Sequence, residues 1–114
     1  MSRIRKHGMR EPGYFVLASL MDGPLHGYGV IKKAEELSGG AVTLAAGTLY
    51  GALDRLSGAG YIVSDHDEIV DGRARHYYRL TEAGRAALVA EARRLERSAR
   101  AVLDRYPELE QEAS

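Results

Sequence analysis

The feature that most restricts how this chain can fold is a narrow apolar stripe near its end. Leu88, Ala92, Leu95, Ala99, Val102 and Tyr106 follow one another at spacings of 4, 3, 4, 3 and 4 residues. That is a heptad seam, the pattern of a helix that packs along a partner helix. Thr81 is a natural N-cap for it, and Glu82 favours the positive end of its dipole. Pro107 restricts the residue before it, so the spacing predicts a helix ending at about Tyr106. Such a helix is longer than a small domain can cover, which points to a second copy of the chain as its partner. The alternative is that the seam packs on its own domain.

The rest of the chain divides into short elements. The apolar run Gly13–Met21 fits a short buried helix, stopped by Asp22-Gly23-Pro24. A second helix fits His26–Leu37, with Val30, Ile31, Ala34 and Leu37 on one face and Lys32, Lys33, Glu35 and Glu36 on the other. Ser38-Gly39-Gly40 ends it. A third helix runs from about Ala46 to Gly58, burying Leu49, Leu53 and Leu56. A hairpin follows, with Tyr61-Ile62-Val63 as one strand and Arg75–Leu80 as the other. Between them lies an acidic loop ending in the turn dipeptide Asp71-Gly72. The organisation expected is a basic arm over 1–12 (partly disordered or the start of the first helix), a domain over 13–80, the long helix over 81–107 and an acidic tail over 108–114.

Bulk properties exclude several classes. A chain of 114 residues, 45% of them hydrophobic, can build one modest core. Cysteine is absent, which removes disulfides and thiolate metal sites and suits the cytoplasm. No apolar stretch approaches the roughly 20 residues of a membrane span, and no targeting signal is read. The formal charge of zero conceals polarity: Arg3, Arg5, Lys6 and Arg10 precede the first acid, while Asp65, Asp67, Glu68 and Asp71 cluster in the hairpin. His7, His26, His66 and His76 lack the spacing of a helical zinc site, so no metal is expected. His26 has no serine, cysteine or paired acid spaced to form a triad with it, and a turn or cap role is expected. No enzyme and no cofactor are expected.

Three short helices, a hairpin and a long helix make a mostly α winged helix-turn-helix with a C-terminal dimerisation helix. A helix fits the major groove of B-DNA, and its groove-facing side must be small and polar. The third helix offers Gly47, Thr48, Gly51 and Arg55 there, with Tyr50 beside them. Thr48 and Tyr50 either reach phosphate and base edges, or cap the helix and pack under the wing. Arg55 either reaches phosphate or pairs locally. Arg73 and Arg75 flank the turn where a wing would touch DNA, and Lys32 and Lys33 either face solvent or reach phosphate.

Three motifs in sequence resemble the PadR family of transcriptional regulators. They are Phe15-Val16-Leu17-Ala18-Ser19-Leu20 with Gly23-Pro24-Leu25-His26-Gly27-Tyr28; Gly47-Thr48-Leu49-Tyr50-Gly51-Ala52-Leu53-Asp54-Arg55-Leu56 with Gly60-Tyr61-Ile62; and the run from Gly72-Arg73-Ala74-Arg75 through Tyr77-Tyr78-Arg79-Leu80-Thr81-Glu82-Ala83-Gly84. The resemblance covers roughly residues 13 to 90. It implies a homodimeric repressor of the compact subgroup, bound to an inverted-repeat operator in double-stranded DNA and released by a small-molecule effector. The dimer would use Phe15, Leu88, Ala92, Leu95, Ala99, Val102 and Tyr106, and the effector pocket is expected near Phe15 and Leu95. Where the family often has Ser-Pro before Gly-Thr-Leu-Tyr, this chain has Ala45-Ala46, leaving Thr43 as a substitute cap. The alternative function is a protein-interaction module that keeps the dimer without specific DNA binding, favoured by the acidic wing.

Overall fold

The computed structural model describes residues 9–107. The arm residues Arg3, Arg5 and Lys6 and the tail 108–114 lie outside them. In chain order the elements are α1 (Glu11–Ser19), β1 (Leu25–His26), α2 (Gly27–Leu37), α3 (Ala46–Gly58), β2 (Ile62–Val70), β3 (Arg73–Leu80) and α4 (Glu82–Leu103).

The first helix starts two residues before the apolar run because Pro12 occupies its first turn, where a missing N–H costs nothing. Val16 and Leu17 are fully buried, and the buried Ser19 hydroxyl donates to the Val16 carbonyl at 2.6 Å. Helix α2 buries Val30 and Ala34, and α3 buries Leu49, Ala52, Leu53 and Leu56. Val42 and Leu44, in the link between these helices, complete the same core at 5% and 7% exposure. The cap of α3 is Ala45, with no side-chain hydrogen bond. Thr43 is therefore not the substitute cap; it is exposed, two residues too early to reach the free N–H groups of the first turn.

The sheet is antiparallel in the order β1-β3-β2. The two-residue strand β1 is too short to leave any periodicity in sequence, and it exists because Leu25 and His26 pair with Tyr78 and Tyr77. The acidic segment expected as a loop is instead strand β2. Its charged residues are accommodated by partners across the ladder, with Glu68 opposite Arg75, Asp67 opposite His76 and His66 opposite Tyr77. Only Asp71 and Gly72, at φ of 52° and 78°, form the turn, as a tight hairpin requires. The register shifts between Ser64 and His66, which makes Asp65 a bulge.

Thr81 caps α4 by accepting the Gly84 N–H at 3.0 Å. The helix ends at Leu103, not at Tyr106. The Arg105 and Tyr106 N–H groups bond to Val102 and Leu103, tightening the chain into turns ahead of Pro107.

Candidate nucleic-acid interface

Helix α3 is two-sided. Leu49, Ala52, Leu53 and Leu56 anchor one side, so the spacing of the helix turns Gly47, Thr48, Tyr50, Asp54 and Arg55 to solvent, with Gly51 half-buried. Tyr50 is 55% exposed. A β-carbon on Gly27 would lie 3.2 Å from Leu49 Cδ2 and 3.4 Å from the Tyr50 hydroxyl. The bare glycine at the start of α2 thus lets the tyrosine lie across it.

The hairpin brings Arg75 to the same place. A notch of about 180 Å³ is lined by His26, Gly27, Tyr28, Tyr50, Ala74, Arg75, His76 and Tyr78. It joins the start of α2, the exposed side of α3 and the wing. The Tyr78 hydroxyl is held above its usual range by burial, and then by Tyr50 and Asp54. Arg73, at the turn, is exposed. Among the described residues Lys32, Lys33, Arg55, Arg73 and Arg75 form no ion pair, which leaves their charge available to an anion. Lys33 is not brought to the notch; it lines another cleft with Ser19, Asp22 and Pro24. Lys32 is exposed on α2.

The acids of the wing are largely engaged within it. His66 Nδ1 meets the Asp65 carboxylate, and His66 Nε2 meets Glu68 at 2.8 Å. Two carboxylates on one imidazole favour its doubly protonated form, so the His66 pKa is raised above 6.5, by the Asp65 bond first and the Glu68 bond second. The ring stacks on Tyr77 at 4.5 Å, and Arg79 pairs with Asp65 at 3.2 Å. His76 bonds Asp67 at 2.5 Å and Ser64 at 2.8 Å. Sequence reasoning missed this cluster by treating the acids as a loop. The readable signal was complementarity across Asp71-Gly72, where Asp-His-Asp-Glu folds back on Arg-His-Tyr-Tyr-Arg.

The seam residues do not share one environment. Leu88 is 5% exposed and packs in the core of its own chain, because it lies in the part of α4 that covers the domain. Ala92 is half-buried, Ala99 is exposed, and Leu95, Val102 and Tyr106 are 40%, 58% and 49% exposed. Phe15 is half-buried, edge-on to Tyr14 with ring centres 5.1 Å apart. Phe15 and Leu95 both line a cleft of about 220 Å³ between α1 and α4. Its floor holds a pair that the periodicity did not reveal. Glu91 is 6% exposed and accepts two bonds from Arg94, at 2.9 and 2.7 Å, and one from the Met9 N–H.

No described helix is long and apolar enough to cross a membrane, and no three His, Cys, Asp or Glu among the described residues converge as metal ligands.

This architecture has known counterparts. The model of the transcriptional regulator PadR-like family matches residues 16–90. Transcriptional regulator Rv3488 of Mycobacterium tuberculosis is 44% identical over 88 residues, which cover 77% of this chain and 78% of that protein. Among solved structures, a transcriptional regulator from Clostridium thermocellum, Cth-833, superposes with a TM-score of 0.68 at 23% identity, covering 91% of this chain and 97% of the other, a likeness of fold. Bacillus subtilis PadR, solved in complex with operator DNA, gives a TM-score of 0.62 at 26% identity, covering 71% of this chain and 46% of that one. Through the match over residues 16–90 and its likeness to Rv3488, the chain belongs to the PadR-like family of transcriptional regulators, which are not enzymes.

Proposed function

We propose that this chain is a homodimeric, sequence-specific DNA-binding repressor that acts in the cytoplasm and is released from an inverted-repeat operator by a small molecule. Residues 13–80 would bind DNA and residues 81–107 would dimerise. The observation that carries this reading is the single surface formed by the exposed side of α3 and the wing. There Tyr50 of α3 meets Arg75 of the wing at one notch, Thr48 and Arg55 are exposed on the same helix and Arg73 at the hairpin turn, and neither Arg73 nor Arg75 makes an ion pair among the described residues. The solved complex of B. subtilis PadR with operator DNA supports the same use of the fold. Leu95, Ala99, Val102 and Tyr106 supply the apolar surface for a second copy, and the cleft at Phe15 and Leu95 is the effector site on this reading.

The exposed acids Asp67 and Glu68 favour a second reading, a protein-interaction module that lacks specific DNA binding. Fluorescence anisotropy with the chain's own upstream DNA, across a salt series, separates the two. The repressor reading expects tight binding relative to scrambled DNA, lost in Arg73→Ala/Arg75→Ala, with affinity falling by about 0.9 log units per log unit of salt for each phosphate neutralised. Equal binding to upstream and scrambled DNA at every salt would overturn specific recognition of that region. Absence of binding at low salt would leave the interaction module.

A further inference from the structure

The notch between α2, α3 and the wing has a chemistry of its own. Its lining contains a guanidinium, three phenols and two imidazoles, and no carboxylate. One imidazole is fully engaged, both ring nitrogens of His76 being bonded to Asp67 and Ser64, and the other in part, His26 Nδ1 accepting the Gly29 N–H. The donors left over are those of Arg75, the hydroxyls of Tyr28, Tyr50 and the partly buried Tyr78, and His26 Nε2. Arg75 Nε is enclosed by protein and has no hydrogen-bond partner. The Tyr28 and Tyr50 hydroxyls bond to none of the described residues, and both side chains are more than half exposed.

Arg75 would ordinarily find its partner in Glu68, which faces it across the ladder. His66 draws that carboxylate away, holding it at 2.8 Å from Nε2. An outside acceptor cannot reach the enclosed Nε, but the terminal N–H groups of Arg75 also form no hydrogen bond among the described residues, and the half-buried side chain lines the notch, so an acceptor seated there would meet them.

Resting on the DNA-binding reading above, we infer that this notch seats a single backbone phosphate, held jointly by Arg75 and the hydroxyls of Tyr28 and Tyr50. The contact ties the start of α2, the recognition helix and the wing to one point on the duplex. It fixes the register in which α3 enters the groove and carries no sequence information itself. Tyr28 and His26 thereby join the interface, Tyr28 as a phosphate donor and His26 as the residue that positions it, through rings lying 9° from parallel at 6.4 Å.

The test uses the full chain and the shortest upstream duplex that it binds, with each phosphate in turn replaced by an uncharged methylphosphonate. One position per half-site should weaken wild-type binding about tenfold, the scale of one charge-assisted hydrogen bond. At that position the loss should shrink to within about twofold in Arg75→Gln and in Tyr28→Phe, because the seat is already broken. Tyr28 is 63% exposed, so its phenylalanine variant tests the hydroxyl without disturbing the core. If both variants weaken binding but remain sensitive to every methylphosphonate as the wild type is, the shared phosphate is overturned. If the variants bind as the wild type does, it is overturned as well. A wild-type chain that binds no duplex at low salt overturns the DNA-binding reading itself, a failure distinct from the other two.

Discussion

The backbone of Gly84 passes directly against the carbonyl of Tyr61. A β-carbon at residue 84 would lie 2.8 Å from that carbonyl carbon and closer still to its oxygen. The approach locks the start of α4 onto the start of the hairpin, where the Thr81 N–H also bonds to the Tyr61 carbonyl at 3.0 Å and the Thr81 hydroxyl to the Gly60 carbonyl at 2.6 Å. The wing and the long helix are therefore rigidly joined through one glycine.

Gly84→Ala should destabilise the protein by about 2 kcal/mol, since a backbone carbonyl cannot move aside as a side chain can. Thermal unfolding followed by circular dichroism would register this as a lower Tm. An unchanged Tm would mean that the contact yields easily.

Leu88 and Val102 occupy the same sequence stripe but should behave differently. Leu88→Ala, in the core of its own chain, should cost about 3 kcal/mol of stability, the range of buried leucines. Val102→Glu, at 58% exposure, should convert the proposed dimer to monomer, as measured by light scattering across concentrations. A monomeric wild type at high concentration would count against the seam.

His66 should titrate above its ordinary 6.5, since Asp65 and Glu68 both favour the imidazolium. With the folded pKa raised, the stabilisation is complete below the unfolded value and is lost as pH rises through the folded one. NMR titration of the ring protons should show a raised midpoint that returns toward 6.5 in Asp65→Asn. A midpoint already at or below 6.5 in the wild type would mean the carboxylates do not hold the ring.

Glu91 should report on the joint between α1 and α4 in acid. Its carboxyl lies below the ordinary 4.5, first because Arg94 bonds it and also through the Met9 N–H. Its contribution is therefore present above 4.5 and lost as pH falls through the depressed value. Melting curves between pH 6 and 3 should fall more steeply for the wild type than for Glu91→Gln. Parallel curves would show that the pair contributes nothing to the pH dependence.

Much of this architecture was legible in the sequence. Alternating apolar and polar runs, glycine and proline stops and the Thr81 cap act locally, within a turn or two of the backbone. They located α2 and α3 and the start of α4 closely, and the motif order pointed to the family. Tyr50 was picked out by its place near the start of the third helix, and Arg73 and Arg75 by their place beside the hairpin turn.

What the tertiary structure decided depends on residues far apart in the chain. Strand β1 exists only because β3 lies beside it, and the acidic segment became a strand because β3 presents His and Arg partners opposite it. The same pairing occupies the acids that sequence alone set against DNA. The heptad spacing could not distinguish Leu88, consumed by its own core, from Val102, left open, because periodicity gives a helix its face but not the depth at which its domain stops covering it. The notch at Arg75 has no sequence signature, since its lining comes from four separate elements, β1, α2, α3 and β3, that only folding brings together.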